Sequence, residues 1–331
     1  MQPGFFTLSE SGPLGAAVCR EAGLKLAGLE ERSFEGGEFK LRPLESVRNR
    51  RVYVLQSLAG TPGCSAADRL VRLLFLVNGL RDAGAAELTA VIPYLAYARK
   101  DRRTQLRDPV NTRYVAQLLE SAGVGRVLAL DVHNPAAFDN SFRIPTDHLS
   151  ALPMMADHFV NRLGRSDLVV VSPDVGGIKR AQLFREMLEA RAGRPVELAF
   201  LEKRRALSQV ATGRLVGDVN GRTVLIIDDL CATGGTLIRA AASCREAGAA
   251  AVHVAVTHVP LPAGVEAVAA AESITDMVTT DSVAFPDLSR QRTKVIMLSA
   301  GALLGVAIRR ILSGLPVAPL LTRWPVPDDH R

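Results

Sequence analysis

Two adjacent carboxylates, Asp228 and Asp229, follow the apolar run Val224-Leu225-Ile226-Ile227 and lead into Leu230-Cys231-Ala232-Thr233-Gly234-Gly235-Thr236. Four apolar residues in a row read as a buried strand, and the C-terminal ends of such strands are where open α/β sheets place their ligands. Thr-Gly-Gly-Thr then opens a helix. Glycine lets backbone N–H groups approach an anion closely, threonine hydroxyls add donors, and a helix N-terminus favours negative charge. The pattern suits a phosphate monoester at Thr233, Gly234, Gly235 and Thr236, with Asp228 and Asp229 accepting hydrogen bonds from sugar hydroxyls. An ordinary capped strand-to-helix turn is the plain alternative. The lysine of a GxxxxGK[ST] loop is missing, which excludes a Walker-type NTPase.

Three other segments carry chemistry. Arg99, Lys100, Arg102, Arg103 and Arg107 put five cations within nine residues, directly after the strand-like Leu88–Pro93. Such a cluster serves a polyphosphate, a solvated face or a nucleic acid; the chain is only 5% aromatic, so a stacking platform for single strands is not expected. Asp131 and His133 flank one residue, and in an extended segment both side chains point the same way. With Asp174 at another strand end they suggest a Mg2+ site; magnesium prefers oxygen ligands and keeps waters, which favours Asp174 over direct contact from His133. Lys203, Arg204 and Arg205 follow the strand-like Glu197–Glu202 and precede a polar, helix-poor run. That run reads as a surface loop or as a lid that closes on reactants.

The elements that must position these residues alternate. Residues 51–56, 88–93, 126–131, 168–172, 223–228 and 251–256 read as buried strands, and 66–83, 111–122, 176–190 and 236–247 as amphipathic helices. This alternation predicts an α/β protein with parallel sheets. Arg81-Asp82-Ala83-Gly84-Ala85-Ala86 and Arg245-Glu246-Ala247-Gly248-Ala249-Ala250 each close a helix and lead into a strand. Related halves and the common chemistry of helix-to-strand junctions both produce that echo. A chain of 331 residues, at roughly 150 per domain, predicts about two domains, with a divide near 145–150. The last helix, 302–312, precedes a proline-rich tail expected to be extended and mobile.

Composition narrows the setting. Apolar residues make 48% and charged residues 22% of the chain, as in globular proteins, and the formal net charge is +6. The four cysteines are far apart, which suits a reducing compartment rather than a disulfide framework or a structural zinc site. No basic region followed by an apolar core opens the chain, so no signal peptide is expected. The most apolar stretch, 247–271, is interrupted by His253, His258, Pro260, Pro262 and Glu266, so a membrane-spanning helix is not expected. A cytoplasmic protein follows.

Taken together, these motifs resemble the ribose-phosphate diphosphokinase family. Ile92-Pro93-Tyr94 with Tyr97-Ala98-Arg99-Lys100-Asp101 looks like that family's ATP-binding segment, and Asp131-Val132-His133 like its DLH. Val171-Ser172-Pro173-Asp174-Val175-Gly176-Gly177 looks like VSPDxGG, Lys203-Arg204-Arg205 like the catalytic KRR loop, and Phe34-Glu35-Gly36-Gly37-Glu38 like FxDGE. The similarity runs in order from about residue 5 to residue 312. A phosphoribosyltransferase would match only around Asp228–Thr236 and would leave residues 34–107 unexplained.

The resemblance implies two phosphoribosyltransferase-like domains, each a mainly parallel sheet flanked by helices. The first, 1–147, binds ATP; the second, 148–312, binds ribose 5-phosphate; 313–331 is a tail. It implies transfer of the diphosphoryl group of ATP to the C1 hydroxyl of ribose 5-phosphate with Mg2+ as cofactor, and no nucleic-acid or membrane partner. Lys203 and Arg205 would be catalytic. Phe34, Glu38, Arg99, Lys100, Asp101, Arg107 and His133 would bind ATP, and His133 and Asp174 the metal. Phe34 and Glu38 would be supplied by a neighbouring subunit, so a homo-oligomer is expected. The chain departs from the family pattern at Gly36, Lys100, Ala232, Pro316 and Ala318. A second reading is therefore a regulatory relative of the same fold with weak or no turnover; Lys203, Arg205, Asp174, His133 and the full TGGT argue against it.

Overall fold

Local sequence decides most of the elements. The computed structural model describes residues 2–61, 63–202, 214–284 and 294–325, which form two compact units. The first takes the chain up to Ser150 together with Asp281–Ala284 and Ser299–Val317; the second takes the described residues of 151–280 and 294–298 and those from Ala318 onward.

In the first unit the strands are β1 (Gly4–Thr7), β2 (Leu29–Ser33), β3 (Phe39–Pro43), β4 (Arg51–Leu55), β5 (Glu87–Ile92), β6 (Arg126–Leu130) and β7 (Thr146–Leu149). Its helices are α1 (Gly12–Ala22), α2 (Ala66–Asp82), α3 (Asn111–Ala122) and α4 (Pro135–Ser141). Strands β1-β4-β5-β6-β7 form an all-parallel sheet, while β2 and β3 make a separate antiparallel hairpin. Parallel strands covered on both faces need apolar side chains on both, and β4 and β5 each bury all but their first residue. Ser65 and Asp68 build a reciprocal capping box at the start of α2. Leu73, Leu76, Val77 and Leu80 from that helix are fully or almost fully buried against the sheet.

In the second unit α5 (Leu152–Leu163), β8 (Leu168–Ser172), α6 (Ile178–Ala192), β9 (Glu197–Glu202), β10 (Arg214–Val216), β11 (Thr223–Leu230), α7 (Gly235–Glu246), β12 (Ala251–His258), α8 (Pro262–Ala270), β13 (Asp276–Thr280) and β14 (Val295–Leu298) follow in order. The sheet runs β10-β9-β8-β11-β12-β13-β14, parallel except for the antiparallel edge pair β10–β9. Strand β11 lies centrally, with Ile226 opposite Val171 on one side and Val254 on the other. Each unit is thus the expected mainly parallel sheet with helices.

The two junction sequences fold alike. Gly84 and Gly248 donate their N–H groups to Arg81 and Arg245, and Ala85 and Ala249 donate to Leu80 and Cys244. Each turn joins a helix to the next parallel strand, in β4-α2-β5 and in β11-α7-β12.

Two expectations are corrected. Helix α9 (Ala300–Leu312), assigned by the sequence to the second domain, belongs to the first unit and packs on α1. A Cβ on Gly301 would stand 2.6 Å from Ala17 Cβ, and one on Gly305 would stand 2.4 Å from Glu21 Cβ. Small residues thus let the two backbones approach, a tertiary match that neither helix reveals alone. The tail is not simply extended either. Ala318–Leu321 form a 3-10 turn, Leu320 is fully buried, Arg310 donates to Pro316 O at 2.7 Å, and Arg191 donates to Thr322 O at 3.0 Å. Burying Leu320 and satisfying backbone carbonyls outweighs the preference of the prolines for open chain.

Candidate active site

The strand-end carboxylates lie where β11 stops. Asp229 is buried and Asp228 half-buried. Arg180, near the start of α6, brings Nη1 to 3.2 Å from Asp228 Oδ1 and 3.1 Å from Asp229 Oδ1. The Asp229 N–H donates to Asp228 Oδ1 at 2.9 Å. Burial and the neighbouring Asp229 charge push the Asp228 carboxyl well above the usual carboxylate range, and Arg180 opposes them only in part.

The loop that follows is built for a close approach. Gly234 is the N-cap of α7 at φ 77°, a left-handed conformation that glycine adopts without strain. No side chain caps this helix, so its first-turn N–H groups face outward with Thr236 beside them and the exposed Thr233 just before. Helix α8 supports the loop from behind: a Cβ on Gly264 would sit 2.6 Å from Ala232 O and 2.9 Å from Cys231 O. Arg239, one turn into α7, reaches back so that its Nη1 lies 3.2 Å from where a Gly235 Cβ would be. Its exposed guanidinium adds positive charge at the helix N-terminus.

Asp174 follows β8 in the same unit. Ser172 Oγ donates to Asp174 O at 2.6 Å, and Gly177 N donates to Asp174 Oδ1 at 3.2 Å. A Cβ on Gly177 would lie 2.7 Å from Ser172 Oγ, and one on Gly176 would lie 3.2 Å from Asp174 Oδ1. The two glycines of VSPDVGG therefore leave room for this carboxylate.

In the first unit the basic segment leaves β5. Arg99 and Arg107 are exposed, but Lys100 is bound by Asp108 and by Thr104 Oγ1 at 3.1 Å. Asp108 also accepts from Thr104 N and Gln105 N, both at 2.9 Å; Lys100 and these donors hold its carboxyl far below the usual range. Asp101 accepts from Asn134 Nδ2 at 2.6 Å. Arg103, Arg107 and Tyr114 border a surface depression of about 710 Å3. Another of about 690 Å3, beside Gly4, Lys25 and Arg51, lies at the opposite end of the sheet and touches none of the candidate residues.

His133 is exposed just after β6, whereas Asp131 is buried, at φ 38°, and accepts from Ser150 Oγ at 2.7 Å. The left-handed backbone at Asp131 departs from the extended geometry on which the shared face was expected, and the two residues differ in exposure. Phe34 and Glu38 occupy the exposed tip of the β2–β3 hairpin, joined by Phe34 N donating to Glu38 O at 2.8 Å, with Arg32 over the Phe34 ring at 5.2 Å. Lys203 and Arg205 lie outside the described residues. No group of three or more His, Cys, Asp or Glu side chains able to hold a metal occurs among the described residues, and none of their helices is long and apolar enough to cross a membrane.

Sequence reasoning missed Arg180, Asp108 and Asn134. The Lys179-Arg180 pair, one residue beyond VSPDVGG, was a usable signal for the first, since it stands in the first turn of the next helix. The other two had none, because their partners lie in different segments or across a turn.

Comparison with known proteins follows the same division. A model of the N-terminal domain of ribose phosphate pyrophosphokinase matches residues 4–123, and a phosphoribosyl transferase domain model matches residues 153–285. A ribose-phosphate pyrophosphokinase of Caldanaerobacter subterraneus subsp. tengcongensis is 36% identical over 318 residues, covering 96% of this chain and 97% of that protein. Ribose-phosphate pyrophosphokinase 1 of Listeria monocytogenes serovar 1/2a is 37% identical over 317 residues, covering 95% and 96%. The crystal structure of phosphoribosylpyrophosphate synthetase from Mycobacterium smegmatis matches at a TM-score of 0.84 and 30% identity, over 95% of this chain and 100% of that one. With both domain models in order and relatives matched over nearly their whole length, the chain belongs to the ribose-phosphate pyrophosphokinase family.

Proposed function

We propose that this member of the family moves the β,γ-diphosphoryl group of ATP to the C1 hydroxyl of ribose 5-phosphate, giving 5-phosphoribosyl 1-diphosphate and AMP. The observation that carries the proposal is the end of β11, where two carboxylates share one arginine and an uncapped helix N-terminus follows. The N–H groups of α7, with Thr233 and Thr236, take the 5-phosphate, while Asp228 and Asp229 accept from the ribose hydroxyls. The C1 oxygen attacks the β-phosphorus and loses its proton. The bond to the α,β-bridging oxygen breaks, and its electron pair leaves with AMP. Positioning and charge neutralisation dominate such transfers.

Arg99 and Arg107 face the ATP phosphates, and Lys100 holds their segment in shape through Asp108. Lys203 and Arg205 meet the charge that develops at the β-phosphate. The family implies magnesium, which takes oxygen ligands, keeps several waters and asks for one or two carboxylates beside substrate phosphates. The half-buried carboxylate of Asp174, given room by Gly176 and Gly177, fits that demand, and the exposed His133 fits a contact through water. When bound, the ion supplies phosphate neutralisation and leaves the sugar contacts to the protein. The exposed hairpin tip supports an adenine contact from Phe34 and Glu38 to a neighbouring subunit, hence a homo-oligomer. A cytoplasmic enzyme without nucleic-acid or membrane partners fits the +6 charge gathered around polyphosphate segments.

The test is one assay with ATP, Mg2+ and ribose 5-phosphate, following AMP by chromatography. Folded protein that makes no AMP overturns the proposal. Lys203→Ala is expected to lower kcat at least a hundredfold, about 3 kcal/mol, as for the loss of one charge-stabilising group in an enclosed site; near-normal turnover would remove Lys203 from the mechanism.

A further inference from the structure

Successive side chains on a strand point to opposite faces. Asp228 and Asp229 are neighbours on β11, yet their Oδ1 atoms lie 3.2 and 3.1 Å from the same nitrogen, Arg180 Nη1. One guanidinium thus gathers two carboxylates that strand geometry would separate. The arginine stands in the first turn of α6, where the helix dipole disfavours a cation. Its placement follows from the carboxylates rather than from the needs of its own helix.

We propose that Arg180 is the positioning residue for the pentose: it turns both carboxylates to one side, so that adjacent ribose hydroxyls meet two oriented acceptors. The proposal rests on the reading of Asp228 and Asp229 as the sugar site. The titratable and charged groups that act on Asp228 include Asp229 on its own strand, Cys231 at the start of the loop and Arg180 from α6. Burial and Asp229 favour the protonated form of Asp228, which cannot accept at the protonated oxygen; Arg180 opposes them. Acidification therefore weakens sugar binding, and loss of the arginine makes that weakening begin at higher pH.

The experiment measures kcat and the KM values for ribose 5-phosphate and ATP from pH 6 to 9 in wild type, Arg180→Gln and Arg180→Lys, with circular dichroism as the folding check. Arg180→Gln is expected to raise KM for ribose 5-phosphate tenfold or more and leave KM for ATP within about twofold. The pH at which the sugar KM climbs should rise by about one unit, the lower end of what a close opposite charge contributes. Titration of the substrate's own phosphate is common to all three proteins and cancels. Arg180→Lys, which keeps the charge but not the planar fork, should restore the pH midpoint while the sugar KM stays raised.

An unchanged midpoint in Arg180→Gln, or equal rises in both KM values, overturns the role of Arg180. Should that variant not fold, Arg180→Lys decides: a sugar KM equal to wild type overturns it. Wild-type protein that does not turn over ribose 5-phosphate would instead overturn the functional reading itself.

Discussion

The side-chain amide of Asn134 donates to Asp101 Oδ2 at 2.6 Å, tying the segment after β6 to the basic segment after β5. The same side chain accepts from Ala137 N at 3.2 Å and so caps α4. One residue therefore serves both the local helix and a segment 33 positions away in sequence. Asn134→Asp separates the two roles, because it keeps the cap but sets carboxylate against carboxylate. It is expected to raise KM for ATP about tenfold, in keeping with the ~1.5 kcal/mol of a hydrogen bond to a charged group, with KM for ribose 5-phosphate unchanged. Steady-state kinetics in both substrates checks it.

Gly264 gives the complementary case. Its missing Cβ leaves 2.6 Å to Ala232 O and 2.9 Å to Cys231 O, both backbone atoms that cannot swing aside. Gly264→Ala is expected to displace the loop before α7, lower stability by about 1–3 kcal/mol through overpacking, and raise KM for ribose 5-phosphate far more than KM for ATP. Equal effects on the two substrates would show that α8 does not support the phosphate loop specifically.

The packing of α1 on α9 is open to a thermodynamic test. A Cβ at Gly305 would meet Glu21 Cβ at 2.4 Å and Val18 O at 2.8 Å. Gly305→Ala should therefore destabilise the protein by about 1–3 kcal/mol, although alanine is the better helix former by about 1 kcal/mol. Urea denaturation is expected to give a lower midpoint; a higher one would mean that the helices move apart at little cost.

Stability should also depend on pH through Asp276, which is buried with His253 Nδ1 at 2.9 Å and Arg162 Nη2 at 2.5 Å. Burial pulls its carboxyl upward, but the hydrogen bonds from His253 and Arg162 outweigh it, and the net displacement is downward. A carboxyl depressed in the folded state adds stability above the unfolded value of about 3.9 and loses it as pH falls through the depressed value. Wild type should thus lose this contribution below about pH 4, while Asp276→Asn lacks it at every pH. The variant is expected to be destabilised by about 3 kcal/mol at neutral pH, the low end for a broken buried pair because Arg162 is partly solvated, with the difference narrowing on acidification. A difference that stays constant down to pH 3 would contradict the assignment.

Six buried strands, the four amphipathic helices between and after them, and the placement of Asp228 and Asp229 near a strand end ahead of a helix were legible in the sequence. The reason is physical: a fully apolar run such as Val224–Ile227 can only be a buried strand here, and Thr-Gly-Gly-Thr after it restricts what the backbone can approach. Short or mixed elements left no such mark. Strand β1 has four residues, and β2 is half-exposed and polar, so periodicity carried little signal for either.

The sequence by itself determined the type of the longer apolar and amphipathic elements and the residue types gathered in each segment, because propensity, apolar runs and turn residues act over a few positions. Only the tertiary structure decided that Arg180 joins Asp228 to Asp229, that Asp108 occupies Lys100, that Ser150 binds the buried Asp131, and that α9 returns to α1. Each of these is a match in shape or charge between groups brought together only when the chain folds, and a one-dimensional pattern holds no record of such distances.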